Sequence, residues 1–356
     1  MSTDIFCKVI DNYGDIGVCW RLCKQLAARG EAVRLIVDDA RALTWMVPLT
    51  VRPRLIEVIA WQDAAQIKTP ADVVIESFGC ELPDSYISKM ARQATLGKAS
   101  TWVNLEYLTA ERYAEACHLL PSPVTQGVGK GLTKTFFYPG FTNKTGGLLR
   151  EPDLFERQAK FDKAAWLKEQ SIEWLNERVV SLFCYEPAAL SALLAELQNS
   201  DQPTLLLVTA GRATQATNVL EAISNKALRI HYLSYLTQED YDHLLWASDF
   251  NFVRGEDSLV RAIWAGKPFV WQIYPQDDDA HHAKLEAFLD AYLAHADAVT
   301  ATQVRAVHQL WNGIIDSENR PVGHILLSLP EWQSASLMQR GLWADQLDLV
   351  SQLLRS

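Results

Sequence analysis

The sequence predicts an α/β protein of two domains, each built on a parallel sheet. Three observations predict it. The chain has 356 residues, long for a single core, and 49% of them are hydrophobic. Short apolar runs alternate with helix-like stretches, as parallel strands joined by helical crossovers require. That alternation also occurs as two similar series, one in each half.

In the first series, Ile5 to Ile10 reads as a strand, and a helix from about Gly17 to Ala28 follows, closed by Gly30. Ala32 to Val37, Val73 to Ser77 and Thr101 to Leu105 read as further strands. Residues 119–150 are dense in Gly, Pro and Thr and read as loops and turns. A charged, helix-prone stretch spans about Asp153 to Glu177. The second series runs through "VVSLFCY", "TLLLVTAG", "LRIHYLSYL", "DFNFVR" and "KPFVWQIY". The domains are placed at 1–170 and 171–340. Residues 341–356 are amphipathic, with Leu342, Leu349, Val350 and Leu353 suited to one face, and can pack back on either domain, the first being one choice.

Composition excludes several classes. Lys plus Arg number 33 against 43 Asp plus Glu, a net charge of −10, and the basic residues are scattered, so a duplex or membrane-surface binder is not expected. The six cysteines form no CxxC pair, which favours free thiols in a reducing compartment. "MSTDIFCKVI" lacks the basic flank and apolar run of a signal peptide, and no segment is apolar enough to span a membrane. A cytoplasmic location is expected.

Open parallel sheets bind ligands outside the carboxyl ends of their strands, so the polar residues that follow strands are the ones to weigh. "DNYGD", residues 11–15, follows the first strand, where such turns often carry glycines and hold a phosphate. Asp11 and Asp15 would repel one. As turn chemistry, Asp11 and Asn12 form the turn and Asp15 caps the helix, which leaves Asp11 only partly explained. As site chemistry, two carboxylates orient a cationic acceptor and take its proton.

In "NFVRGEDSLVRAIWAGKPFVWQIYPQ", residues 251–276, a strand ends at Val253, Arg254 to Ser258 make the turn, and Leu259 to Ala265 read as a helix. Ser258 or Asp257 can cap it. The free N–H groups of that helix, a hydroxyl and Arg254 would make a diphosphate pocket; an ordinary capped helix accounts for the same spacing. "VSLFCYEP", residues 180–187, puts Phe183 and Tyr185 at a strand end, as core or as a platform for a base or sugar. In "YPQDDDAHHAKL", the adjacent His281 and His282 lack a third well-spaced ligand, so no metal site is expected.

Several stretches together resemble one family. "FCKVIDNYGDIGVCWRL", "WVNLEYLTAE", "FFYPGFTNKTGGLLRE", "FCYEP" and the 251–276 segment are similar, in order, to the EarP family, bacterial protein-arginine rhamnosyltransferases that modify elongation factor P. The resemblance implies the GT-B glycosyltransferase fold, two Rossmann-like domains facing across a cleft, with the donor held mainly by the second. It implies dTDP-β-L-rhamnose as donor, no metal or other cofactor, and as acceptor one arginine of elongation factor P, which is thereby activated for polyproline translation. It assigns Asp11, Asp15 and Glu256 as catalytic. Donor binding falls to Phe183, Tyr185, Gln238, Arg254, Asp257, Ser258 and Tyr274. No nucleic acid or membrane partner is implied. Two other readings stand beside it: a GT-B transferase with another nucleotide sugar and acceptor, and a non-catalytic two-domain protein that grips a cationic ligand.

Overall fold

The computed structural model describes residues 1–10, 13–220, 224–275, 280–315 and 330–355. The strands among them are β1 Ser2–Cys7, β2 Ala32–Val37, β3 Ile56–Ala60, β4 Val73–Ser77, β5 Thr101–Leu105, β6 Pro121–Pro123 and β7 Thr133–Phe137, then β8 Arg178–Leu182, β9 Thr204–Val208, β10 Leu228–Tyr232, β11 Phe250–Arg254 and β12 Phe269–Gln272. The helices are α1 Gly14–Ala28, α2 Leu43–Met46, α3 Asp84–Thr95, α4 Tyr113–Cys117, α5 Leu154–Ala159, α6 Lys163–Glu169, α7 Leu190–Gln198, α8 Arg212–Val219, α9 Gln238–Ala247, α10 Gly255–Ala265, α11 Ala280–Tyr292, α12 Ala298–Trp311, α13 Pro330–Ala344 and α14 Leu349–Leu353.

Two compact units result: residues 1–151 with 343–356, and residues 152–342. The first ends at 151 rather than near 170, because α6 packs into the second unit. There Trp166 and Leu167 share a buried cluster with Val179 of β8, Leu205 and Leu207 of β9 and Leu244 of α9.

The first unit carries the strand order β3-β2-β1-β4-β5-β7-β6, parallel except for the β6–β7 pair. β1 shows why its residues form a central strand. Ile5 and Cys7 face the cluster beneath α1, while Phe6 faces a second cluster with Ile36, Val74 and Trp102. Both faces are therefore apolar, as a sheet covered on both sides demands. Buried Asp4 is held by both Arg34 nitrogens that face it, at 2.5 and 2.7 Å, and by the Ala71 N–H. The expected strand Ile5 to Ile10 is displaced toward the N-terminus, and Ile10 is exposed.

The tail returns to this unit: Leu349, Val350 and Leu353 of α14 join the cluster beneath α1, and Trp343 packs on Phe141 at 4.9 Å. Leu342, expected on the same apolar face, lies instead on α13 and is exposed.

The second unit repeats the plan with the order β10-β9-β8-β11-β12, all parallel. In each unit the strand order reverses beside its first strand, between β1 and β4 and between β8 and β11. That reversal opens a crevice at the strands' carboxyl ends, the usual ligand position of open α/β sheets. The described cysteines are free thiols, and burial pushes the Cys80 and Cys184 thiols up to about 12, which marks both as packing groups. No described helix is long and apolar enough to cross a membrane.

Candidate active site

At the crevice of the second unit, β8 delivers Phe183, Cys184 and Tyr185, and β11 delivers Arg254. The Arg254 guanidinium lies 4.5 Å from the Phe183 ring centroid and 4.4 Å from that of Tyr185. It also donates from Nη1 to the Cys184 carbonyl at 3.3 Å. A side chain 4% exposed is thus held in one rotamer by two aromatic faces and a hydrogen bond. Tyr185 is fixed in turn: its N–H donates to Gln272 Oε1 at 2.8 Å, and its ring meets Tyr274 edge-on at 5.6 Å.

Behind Phe183 stands Tyr241 of α9, edge-on at 5.5 Å. Burial pushes its phenol up, and nearby Asp257 adds to the effect, so it stays neutral. α9 and α10 are clamped by a buried bidentate pair, Arg261 to Asp242, both bonds 2.7 Å.

The turn from β11 into α10 is immediate. Gly255, with φ +65, lets the chain reverse without a loop, and Arg254 becomes the N-cap. The helix therefore starts a full turn before the expected Leu259, and neither Asp257 nor Ser258 caps it. Ser258 Oγ instead accepts from the Arg254 N–H at 3.1 Å and donates back to the Arg254 carbonyl. Its hydroxyl shapes the turn, and a phosphate would have to compete for its proton. Glu256 points to Lys284 of α11, with Oε1 2.6 Å from Nζ. The first turn of α10 offers its leading N–H groups and positive dipole end at the same crevice.

In the first unit, α1 starts at Gly14, and Tyr13 is its N-cap. Asp15 is the second helical residue rather than the expected cap, and its Oδ2 accepts the Ile10 N–H at 2.8 Å. This carboxylate, 4% exposed, ties the strand exit to the helix start. Tyr13 packs edge-on against Trp45 at 5.0 Å and pins the same turn from outside.

Comparison with known proteins now bears on this geometry. The model of the family described as elongation factor P (EF-P) rhamnosyltransferase EarP matches residues 3–356. The chain belongs to this family. It is 42% identical to the protein-arginine rhamnosyltransferase of Pseudomonas aeruginosa, over 99% of this chain and 98% of that one. To the protein of that name from Pseudomonas putida it is 43% identical, over 87% and 86%. Among solved structures, one that gives the structural basis for EarP-mediated arginine glycosylation of EF-P is 30% identical, covers 99% of this chain and 97% of its own, and has a TM-score of 0.69. An Arabidopsis thaliana glycosyltransferase complexed with UDP, 12% identical over 99% of this chain and 98% of its own with a TM-score of 0.53, shares the fold alone. The fold is the GT-B glycosyltransferase fold.

Of the residues that the EarP resemblance singled out, Phe183, Tyr185, Arg254, Ser258 and Tyr274 form one contact network, with Asp257 beside it. Gln238, buried, is linked to them through its own helix, whose Tyr241 meets Phe183. Glu256 sits on the first turn of α10. Asp15 lies at the corresponding strand end of the other unit. Asp11 lies outside the described residues.

Sequence reasoning missed Lys284, Gln272, Tyr241 and Arg212. The Arg212 guanidinium lies 5.5 Å from the Tyr185 ring centroid. Its signal was available, since it follows Gly211 straight after β9. Gln272 and Lys284 carry no local pattern that marks them. The adjacent His281 and His282 have ring centroids 4.3 Å apart. Among the described residues no cluster of His, Cys, Asp or Glu is arranged to hold a metal ion.

Proposed function

We propose that this protein transfers L-rhamnose from dTDP-β-L-rhamnose to one arginine side chain of elongation factor P, with inversion at the anomeric carbon, in the cytoplasm and without a metal ion. The observation that carries the reading is the Phe183–Arg254–Tyr185 stack at the β8/β11 switch point, in a chain of the EarP family. Aromatic faces and a buried cation beside a helix N-terminus suit a nucleoside diphosphate. Phe183, Tyr185, Tyr274 and Gln238 serve the base and sugars. Arg254, Asp257, Ser258 and the first turn of α10 serve the ribose and diphosphate, and the charge that develops on the departing dTDP is met there without a cation.

A guanidinium has a pKa above about 12 and delocalised lone pairs, so it is a poor nucleophile. Asp11 and Asp15 grip its N–H groups, localise the lone pair and aim one nitrogen at the anomeric carbon. An ordinary aspartate does not deprotonate free arginine in its ground state. The proton therefore passes to Asp15 late, as the C–N bond forms and the nitrogen becomes acidic. Asp11 orients the acceptor or supports Asp15, and Glu256 positions the sugar or the acceptor. Attack opposite the leaving group gives an α-L-rhamnosyl arginine.

The test is intact-mass analysis of elongation factor P after incubation with this protein and dTDP-L-rhamnose, with and without EDTA. One added deoxyhexose in both samples, mapped to one arginine and α-configured by NMR, is expected. No transfer beside an active control enzyme overturns the acceptor and donor; transfer lost in EDTA overturns metal independence; a retained anomer overturns the mechanism.

A further inference from the structure

We infer that Glu106, held by Asn104, is a binding site for a cationic side chain of the acceptor protein, a lysine or arginine other than the one that is modified. The inference rests on the acceptor reading above, and the site lies wholly within the first unit. β5 runs from Thr101 to Leu105, so Glu106 leaves the sheet at the carboxyl end of its strand. β1 lies two places away in the same sheet, beyond β4, and its carboxyl end leads toward Asp15. At a strand spacing of roughly 4.8 Å the two strand ends are about 10 Å apart, which an extended acceptor segment spans in about three residues.

Two carboxylates on this part of the sheet are treated differently. In register, Asn104 pairs with Glu76 of β4, and Trp102 pairs with Lys134 of β7. Glu76 is 2% exposed and satisfied: Lys134 Nζ lies 3.2 and 3.3 Å from its two oxygens, and the Trp102 N–H donates to it at 3.0 Å. Half-buried Glu106 has no such cation. Among the described residues its carboxylate forms no ion pair and takes one side-chain hydrogen bond, from Asn104 Nδ2 to Oε1 at 2.7 Å, which leaves Oε2 for an incoming donor. Burial raises its pKa against the opposing pull of Asn104 and Lys134.

Asn104 is costly as well. It is 4% exposed, and its Oδ1 has no hydrogen-bond partner among the described residues. A buried acceptor left unpaired lowers stability, and an apolar residue at this strand position would avoid that. What the amide supplies in return is the bond that fixes Glu106. Tyr113 and Tyr138, edge-on at 5.7 Å, are near enough for the charge of Glu106 to add to the effect of burial on both phenols, which stay neutral; that of Tyr138 is pushed up to about 12. A half-buried carboxylate without a counter-charge, beside neutral aromatic rings, suits an ammonium or guanidinium and repels an anion.

The experiment compares the full-length protein with its Glu106→Gln variant for affinity to unmodified elongation factor P by interferometry, with dTDP affinity, kcat and both KM values beside it. Glu106→Gln is expected to weaken acceptor binding and raise the acceptor KM about tenfold, while dTDP affinity and the KM for dTDP-L-rhamnose stay within about twofold. Its melting temperature should equal or exceed that of the starting protein, since a carboxylate whose pKa is raised by folding destabilises the fold above that pKa. A purely structural group would lower it. Acceptor affinity weakened less than about threefold overturns the proposal, as does a melting temperature lowered by more than about 3 °C. A second arm leaves this protein unaltered and replaces the lysines and arginines of elongation factor P singly by methionine, keeping the modified arginine. One replacement is expected to weaken binding about tenfold to the starting protein and less than about twofold to Glu106→Gln; additivity at every position overturns the proposal. Transfer absent in the starting protein would remove the acceptor reading through the activity assay, whereas the site stands or falls on the binding assay, so the two failures are told apart.

Discussion

The Arg254 guanidinium lies over the Tyr185 ring, 4.4 Å from its centroid, while its Nη1 donates to the carbonyl of the intervening Cys184. The planar cation is used here as a plate as well as a charge. Lysine keeps the charge and loses the plate. Arg254→Lys is therefore expected to weaken dTDP binding at least about tenfold, since both ring contacts and a buried bond go together. Calorimetry with dTDP measures it; affinity within twofold of the unmodified protein would show that only the charge matters.

The observed role of Asp15 in the turn and its proposed role as base can be separated by substitution. Its Oδ2 accepts the Ile10 N–H, and an asparagine oxygen can accept that bond too. Asp15→Asn should leave the fold and dTDP affinity unchanged and lower transfer about a thousandfold, the middle of the range for loss of a general base. Asp15→Ala should in addition lower the melting temperature, because the partly buried Ile10 bond is lost. An Asp15→Asn variant with more than a tenth of normal transfer would remove Asp15 as the base.

Gly255 is the point where β11 becomes α10, at φ +65. An alanine there meets the left-handed penalty of roughly 1–2 kcal/mol per residue. Gly255→Ala should lower stability by about that amount and weaken dTDP binding, because the relaxed turn misplaces Arg254 and the first N–H groups together. Chemical denaturation and calorimetry on the same preparation check it. A stability loss with unchanged affinity would separate the turn from the site.

His308 of α12 is fully buried among Phe269 and Trp332, its Nδ1 2.9 Å from the Val304 carbonyl. Burial pushes its pKa down to about 4, from the usual 6.5. The folded ring is neutral while the unfolded one protonates below 6.5, so its contribution is complete above that pH and is lost as pH falls toward 4. Between pH 7 and pH 5 this amounts to roughly 2 kcal/mol. His118 and His231, also shifted down by burial, act in the same direction. The readout is accordingly the difference from His308→Gln, whose stability profile should be flatter by that amount in urea titrations at several pH values. Parallel profiles would show that His308 titrates alike in both states.

Much of the fold was legible because buried parallel strands write themselves as apolar runs. β9, β10, β11 and β12 each fall within a stretch that the sequence marks, and β8 overlaps one except for Arg178. β3 was missed because its residues are half-buried and mixed in polarity. β6 and β7 were read as loops because proline and glycine dominate there; they form the antiparallel edge, where proline does not break a central ladder. The long helical stretch 153–177 splits into α5 and α6, since α5 closes at its C-cap Lys160 and Asp162 caps the next helix. At the site, Phe183, Tyr185 and Arg254 were legible because each directly follows or ends a strand. Gln272 and Lys284 were not, because their importance comes from partners 87 and 28 residues away.

The return of α14 to the face of α1 has a consequence for how the chain is made. Leu349, Val350 and Leu353 complete a core whose other members include Ile5, Ile16 and Trp20. A ribosome delivers the α14 group only after the whole of the second unit. The first unit, though begun first, holds an unfinished apolar surface while all of residues 152–342 emerge. The second unit has its strands and helices in one uninterrupted stretch and can close before the first. Vectorial synthesis therefore leaves the earlier-made unit as the later-finished one, and of the two it is the one that needs a chaperone's cover for longer.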